Sequence, residues 1–115
     1  MSKMSTVDHI AIRVDNLEES EKWYCDKLDA EVSFRDHKYT RLKIDNTYIA
    51  LIDKKYYSWP HVGFLVKNKE DLPGIEDGAV VTEHRDGTIG AYLKDPSGNY
   101  IEYIWYSDEC KERLM

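Results

Sequence analysis

A pattern of about ten residues occurs twice in this chain, at a constant offset of 52 residues. The first copy begins His9-Ile-Ala-Ile-Arg-Val and the second begins His61-Val-Gly-Phe-Leu-Val. The same offset carries Tyr48-Ile-Ala-Leu-Ile onto Tyr100-Ile-Glu-Tyr-Ile. A constant offset at both ends of the unit indicates a duplicated module. The chain must therefore fold as two similar halves.

The first copy predicts a strand, a helix and three further strands. Residues 7–14 alternate as a strand, and Asn16 is a suitable N-cap for the helix that follows. Leu17, Tyr24 and Leu28 lie on one helical face, which predicts packing on a sheet. Asp29 occupies the turn after the helix and tolerates left-handed backbone. The remaining strands are predicted at 30–35, 39–44 and 47–53.

The second copy repeats this order with a shortened helix. Pro73-Gly74 arrives after about one helical turn and ends it. Strands are predicted at 61–67, 80–83, 89–94 and 100–106, followed by a short polar helix from Ser107. The fold class is therefore α+β, with two βαβββ modules. We expect a single domain over residues 1–115, with repeats at about 6–53 and 60–106 and a short C-terminal tail.

Strand alternation indicates which side chains share a face. The apolar faces that the helices would cover are Ile10, Ile12, Val14 and Val62, Phe64, Val66. By elimination, His9, His61 and Glu102 point to the opposite, concave side. Two imidazoles and a carboxylate suit Zn, Fe(II), Mn, Ni or Co, and three protein ligands leave room for substrate. The alternative is that each histidine is a hydrogen-bonded strand residue. Recurrence at one register favours a metal site.

Composition excludes several classes of partner. The net charge of −6 argues against nonspecific binding to nucleic acid or anionic membranes. The longest apolar runs fall short of the roughly 20 residues of a membrane helix. The N-terminal residues have no apolar signal region, and the two cysteines, Cys25 and Cys110, are widely spaced. We therefore expect a cytoplasmic protein.

Three segments resemble the vicinal-oxygen-chelate superfamily: Asp8-His-Ile-Ala-Ile-Arg-Val14, Trp23-Tyr-Cys-Asp-Lys-Leu28 and Asp95-Pro-Ser-Gly-Asn-Tyr-Ile-Glu102. This superfamily includes glyoxalase I, extradiol dioxygenases, fosfomycin-resistance enzymes and bleomycin-resistance proteins. The resemblance implies paired βαβββ modules that form a cup-shaped eight-stranded barrel around a divalent ion. It also implies a small-molecule substrate and a homodimer that shares modules between subunits.

Carried over by position, the metal ligands of the family fall on His9, His61 and Glu102. The first-module acidic ligand of glyoxalase I falls on Ala50, and the fosfomycin enzymes' threonine falls on Ala11; both departures weaken those assignments. The resemblance thus implies a metal-dependent enzyme, with oxygenation, lyase or isomerase chemistry and epoxide opening all left open. The alternative is a metal-free protein that sequesters a small molecule, of the bleomycin-resistance type.

Further residues are candidates for contacting substrate. Tyr92 matches a substrate-contacting tyrosine of fosfomycin-type enzymes, or else it packs in the cup wall. Tyr100, like Tyr48 in the first repeat, is predicted to flank the metal and to hydrogen-bond an oxyanion, or to pack the cup floor. Arg13 is either an anion-binding residue or a solvated rim charge. His37 and His84 are candidates for proton transfer near neutral pH, but both lie near turns and are expected at the surface. Cys25 is expected to be a buried or half-buried helix thiol without the basic surroundings that a nucleophile needs.

Overall fold

The computed structural model describes residues 4–84 and 86–114, with side chains described for 7–84 and 86–111. These residues form two compact units. The first-repeat unit comprises His9–Pro60, and the second-repeat unit comprises the residues up to Asp8 together with those from His61 onward. Strand β1 (Met4–Val14) therefore contributes residues to both units.

The first-repeat unit is a four-stranded mixed sheet with one helix. Strand β1 runs parallel to β4 (Thr47–Asp53), β4 runs antiparallel to β3 (Tyr39–Ile44), and β3 runs antiparallel to β2 (Glu31–Arg35). Helix α1 (Leu17–Leu28) connects β1 to β2 and packs on β3 and β4. These elements begin and end within a few residues of the predicted bounds.

Both ends of α1 are formed as the sequence predicts. The side-chain oxygen of Asn16 accepts a hydrogen bond from the backbone N–H of Glu19 at 2.9 Å, which satisfies one of the donors at the helix start. Asp29 ends the helix with φ 54° and ψ 40°, in the left-handed region. The helix therefore has a defined length.

Two details of the predicted apolar faces are wrong. Leu17 and Tyr24 pack on the buried cluster that contains Leu42 and Leu51, but Leu28 is exposed. In β1, Val14 is buried in the same cluster, whereas Ile10 is exposed. Helix α1 packs on β3 and β4, and this packing leaves both Leu28 and Ile10 exposed.

The second-repeat unit has the same strand order. Strand β5 (His61–Val66) runs parallel to β8 (Tyr100–Trp105), β8 antiparallel to β7 (Ile89–Lys94), and β7 antiparallel to β6 (Val80–Glu83). Two short 3₁₀ turns, Lys69–Asp71 and Ile75–Asp77, stand where the first repeat has its helix. This confirms the shortened helix. Helix α2 (Asp108–Leu114) follows β8.

A buried hydrogen bond joins the start of the chain to the end of β8 in this unit. The Tyr106 hydroxyl lies 3.1 and 2.9 Å from the two carboxylate oxygens of Asp8, and both residues are buried. Such a bond to a buried carboxylate contributes about 1.5–3 kcal/mol. It keeps the first part of β1 with the second repeat.

The duplication extends to the pairing of individual residues. His9 faces Tyr48 and Ala11 faces Ala50 in the first repeat; His61 faces Tyr100 and Gly63 faces Glu102 in the second. Eight strands and two α-helices are present among the described residues, so the α+β class is confirmed. The single domain over 1–115, closure into a barrel and its completion across a dimer stay predictions. Within the described part of the chain, no helix is both long and apolar enough to cross a membrane.

Candidate metal centre

Glu102 is the most deeply buried acidic side chain of the second-repeat unit that the structure describes, at 1% exposure. It lies in the middle of β8, opposite Gly63 on β5 and opposite Tyr92 on β7. A carboxylate is stable in such a place only when hydrogen bonds, opposite charge or a metal ion compensate for the lost hydration. The groups that contact Glu102 therefore indicate what compensates for its lost hydration.

The two oxygens of Glu102 face two different histidines. Oε1 lies 3.1 Å from Nε2 of His61, and Oε2 lies 2.6 Å from Nε2 of His84. The His61 side chain is 8% exposed and that of His84 is 22% exposed. His61 belongs to β5, and Glu102 lies diagonally across from it on β8, so the parallel register brings the two together.

Tyr92 completes this cluster on its β7 side. Its ring meets the His61 ring edge-on, with centroids 5.0 Å apart and planes at 86°. Its hydroxyl lies 3.5 Å from Nε2 of His84. Tyr100 faces His61 in the register, and the Lys94 ammonium lies 5.5 Å from the Tyr100 ring centroid. The second repeat thus gathers four of the predicted site residues: His61, Tyr92, Tyr100 and Glu102.

His84 was expected at the surface, and this expectation is wrong. The residue follows β6 in the hairpin to β7, where its N–H donates to the carbonyl of Thr88 at 2.8 Å. Val80 pairs with Tyr92 and Thr82 pairs with Gly90. Continuing that alternation by two residues puts His84 on the face of Tyr92. The alternation in the sequence could have revealed this, had the hairpin register been known.

The first-repeat unit carries the remaining predicted residues. His9 is 4% exposed on β1, opposite Tyr48, and Ala50 occupies the register position that Glu102 has in the second repeat. On β3, opposite Ala50, lies buried Arg41, whose guanidinium stands 3.9 Å from the Tyr48 ring centroid. A buried cation, Arg41, and an aromatic ring, Tyr48, therefore lie near Ala50.

Arg13 lies at the exposed end of β1. It lines an open surface depression with residues at the start and on the outer face of α1, among them Asp15, Glu19 and Trp23. Its exposure fits the predicted rim charge, and its role toward an anionic substrate stays a prediction.

Two other candidates are placed as expected. Burial, followed by the charges of Glu21 and Asp26, raises the pKa of the half-buried Cys25 thiol, so this group is not activated as a nucleophile. His37 is exposed beside the ring of Tyr56.

The donor atoms in the second repeat fit a divalent cation. Nε2 of His61 and Oε1 of Glu102 are almost fully buried and turned toward each other at 3.1 Å. Zinc bonds to such atoms are about 2.0–2.2 Å long. Two ligand atoms of one zinc ion would therefore be separated by a distance comparable to the 3.1 Å between these two atoms. A neutral imidazole and an ionised carboxylate are also the protonation forms that ligate metals.

The chain belongs to the Glyoxalase/Bleomycin resistance protein/Dioxygenase superfamily, whose family model matches residues 6–103. This confirms the resemblance found in the sequence.

Solved structures show the same fold at low sequence identity. Methylmalonyl-CoA epimerase from Mycobacterium tuberculosis is 14% identical with a TM-score of 0.78, over 96% of this chain and 94% of that one. A methylmalonyl-CoA epimerase in complex with methylmalonyl-CoA and NH4+ is 19% identical with a TM-score of 0.74, over 91% and 96%. A variant of the Streptomyces coelicolor epimerase with 2-nitronate-propionyl-CoA is 20% identical with a TM-score of 0.72, over 90% and 99%.

Proposed function

We propose that this protein is a metal-dependent enzyme that acts on a small molecule, with a divalent ion held by His9, His61 and Glu102. The observation that carries the proposal is the contact between Oε1 of Glu102 and Nε2 of His61, two side chains that are almost fully buried. The repeat supports His9 as the third ligand, because it has the register position of His61.

A bound ion would act as a Lewis acid that polarises substrate oxygens. Around it, this chain supplies one buried negative charge, on Glu102, and two imidazoles. Tyr92 is the proposed substrate-orienting residue, since its half-buried hydroxyl lies beside His84 and its ring braces His61. Tyr100, which faces His61, is proposed to donate a hydrogen bond to a substrate oxygen, and Arg13 to bind an anionic group at the rim.

The reaction proposed first is isomerisation by proton transfer at a carbon next to a carbonyl group. Its support is the fold shared with methylmalonyl-CoA epimerases, whose complexes contain acyl-CoA ligands. Because one fold carries many chemistries, oxygenation and epoxide opening are tested in parallel. Deuterium exchange at the acidic carbon of acyl-CoA thioesters would support isomerisation. Metal-dependent oxygen uptake with catechols would instead support oxygenation.

Metal analysis tests the ion site itself. Wild-type protein loaded with zinc and freed of excess metal should hold about one ion per chain, and His61→Ala should lose most of it. His37→Ala is the matched control, because His37 is exposed and is not one of the proposed ligands. Equal zinc in the His61 variant and the control would contradict the proposal.

A second candidate, metal-free binding of a flat aromatic molecule, is favoured by one observation. Phe34 and Tyr57 pack on the buried cluster of Ala11, Tyr39, Ala50 and Ile52, and Phe34 stacks on Tyr39 with ring centroids 5.3 Å apart. Aromatic and aliphatic side chains thus surround Ala50, which has the register position of Glu102. Calorimetric binding of an aromatic ligand that is unchanged after exhaustive chelation would favour sequestration over catalysis.

A further inference from the structure

His84 makes a close contact with the Glu102 carboxylate, although it is not one of the three proposed metal ligands. Nε2 of His84 lies 2.6 Å from Oε2, while His61 lies beside Oε1. The Tyr92 hydroxyl is 3.5 Å from the same nitrogen, so Glu102 is its closer partner. The two carboxylate oxygens of Glu102 therefore contact different histidines.

Gly90 makes this contact possible. A Cβ built on Gly90 would overlap Oε2 of Glu102 and crowd Nε2 of His84. The backbone of β7 thus approaches the carboxylate at the point where His84 reaches it. Any side chain at position 90 would displace one of the two groups.

We propose that His84 is a positioning residue for the metal ligand Glu102. Its Nε2–H donates to Oε2, which fixes the rotation of the carboxylate and turns Oε1 toward the ion and His61. Gly90 provides the space that this arrangement requires. The inference rests on the proposed metal site and deepens it, because outer partners of ligands set their orientation and basicity.

Cobalt affinity is the readout, because Co²⁺ bound to nitrogen and oxygen ligands absorbs visible light. Removing such an outer partner typically lowers metal affinity about 10–100-fold. We expect a loss of this size in His84→Ala. Gly90→Ala, whose methyl group would overlap Oε2 of Glu102 and crowd Nε2 of His84, should also weaken binding. His84→Gln keeps an N–H donor and should recover part of the affinity. The stoichiometry and the absorption bands should match those of the wild type.

Three results would overturn the inference. An unchanged Co²⁺ dissociation constant in His84→Ala would remove the positioning role. Altered absorption bands in His84→Ala, with one fewer nitrogen ligand, would make His84 a ligand instead. Failure of wild-type protein to bind Co²⁺ would refute the proposed metal site itself, and this outcome is distinct from the other two. Circular dichroism of the metal-free variants identifies any that fail to fold.

Discussion

Ala50 and Glu102 occupy the same register position in the two repeats, opposite Ala11 and Gly63 respectively. On the adjoining antiparallel strands, Arg41 lies opposite Ala50 and Tyr92 lies opposite Glu102. The second repeat thus has a buried anion where the first has a methyl group beside a buried cation. The two units therefore differ chemically at equivalent positions while their strands share one pairing pattern.

Asp29 offers a test at the scale of one residue. Its φ of 54° places a side chain in left-handed backbone, which costs an ordinary L-residue about 1–2 kcal/mol and glycine nothing. Asp29→Ala should lower the free energy of unfolding by about 1 kcal/mol, and Asp29→Gly should leave it unchanged or raise it. Urea denaturation measures both. Equal stabilities of the two variants would contradict this account.

At the scale of elements, local patterns predicted most of the structure. Alternation predicted the strands, Asn16 predicted the start of α1, and Pro73-Gly74 predicted a shortened second helix, which the structure has as two 3₁₀ turns. The position of His84 depends on the hairpin register, and the exposure of Leu28 depends on where α1 packs. Both follow from how elements pair and pack with one another, which local alternation does not encode.

The turn before β8 gives a prediction about acid stability. Asp95 accepts hydrogen bonds from the backbone and side chain of Asn99 and from the N–H of Ser97. The Asn99 backbone bond is the main cause that lowers the pKa of Asp95 in the folded chain. Its stabilisation is therefore present above the unfolded pKa, near 3.8, and is lost as the pH falls through the folded pKa.

Replacing this carboxylate should remove that part of the pH dependence. Asp95→Asn should be less stable than wild type near neutral pH, with the difference shrinking as the pH falls below about 4. Ser97→Ala is the control, because it keeps the backbone donor. Denaturation at a series of pH values measures this; a stability difference that does not change with pH would contradict the assignment.

At the scale of the whole molecule, the chain exposes several large apolar side chains. Among those described are Trp23, Ile75, Val80 and Val81. A chain of 115 residues buries a limited fraction of its surface, and association covers such residues. We therefore keep the prediction of a homodimer. The cytoplasmic location also stays a prediction. Light scattering at micromolar concentration should give a mass about twice 13.5 kDa, and a purely monomeric mass would refute it.

The central proposal is that His9, His61 and Glu102 are ligands of one metal ion. Anomalous diffraction at the absorption edge of the bound metal tests this most directly. We predict a single strong peak per chain, within bonding distance of Nε2 of His61, Oε1 of Glu102 and an imidazole nitrogen of His9. Crystals of metal-loaded protein with no peak at Glu102, or with a peak held by other residues, would contradict the account.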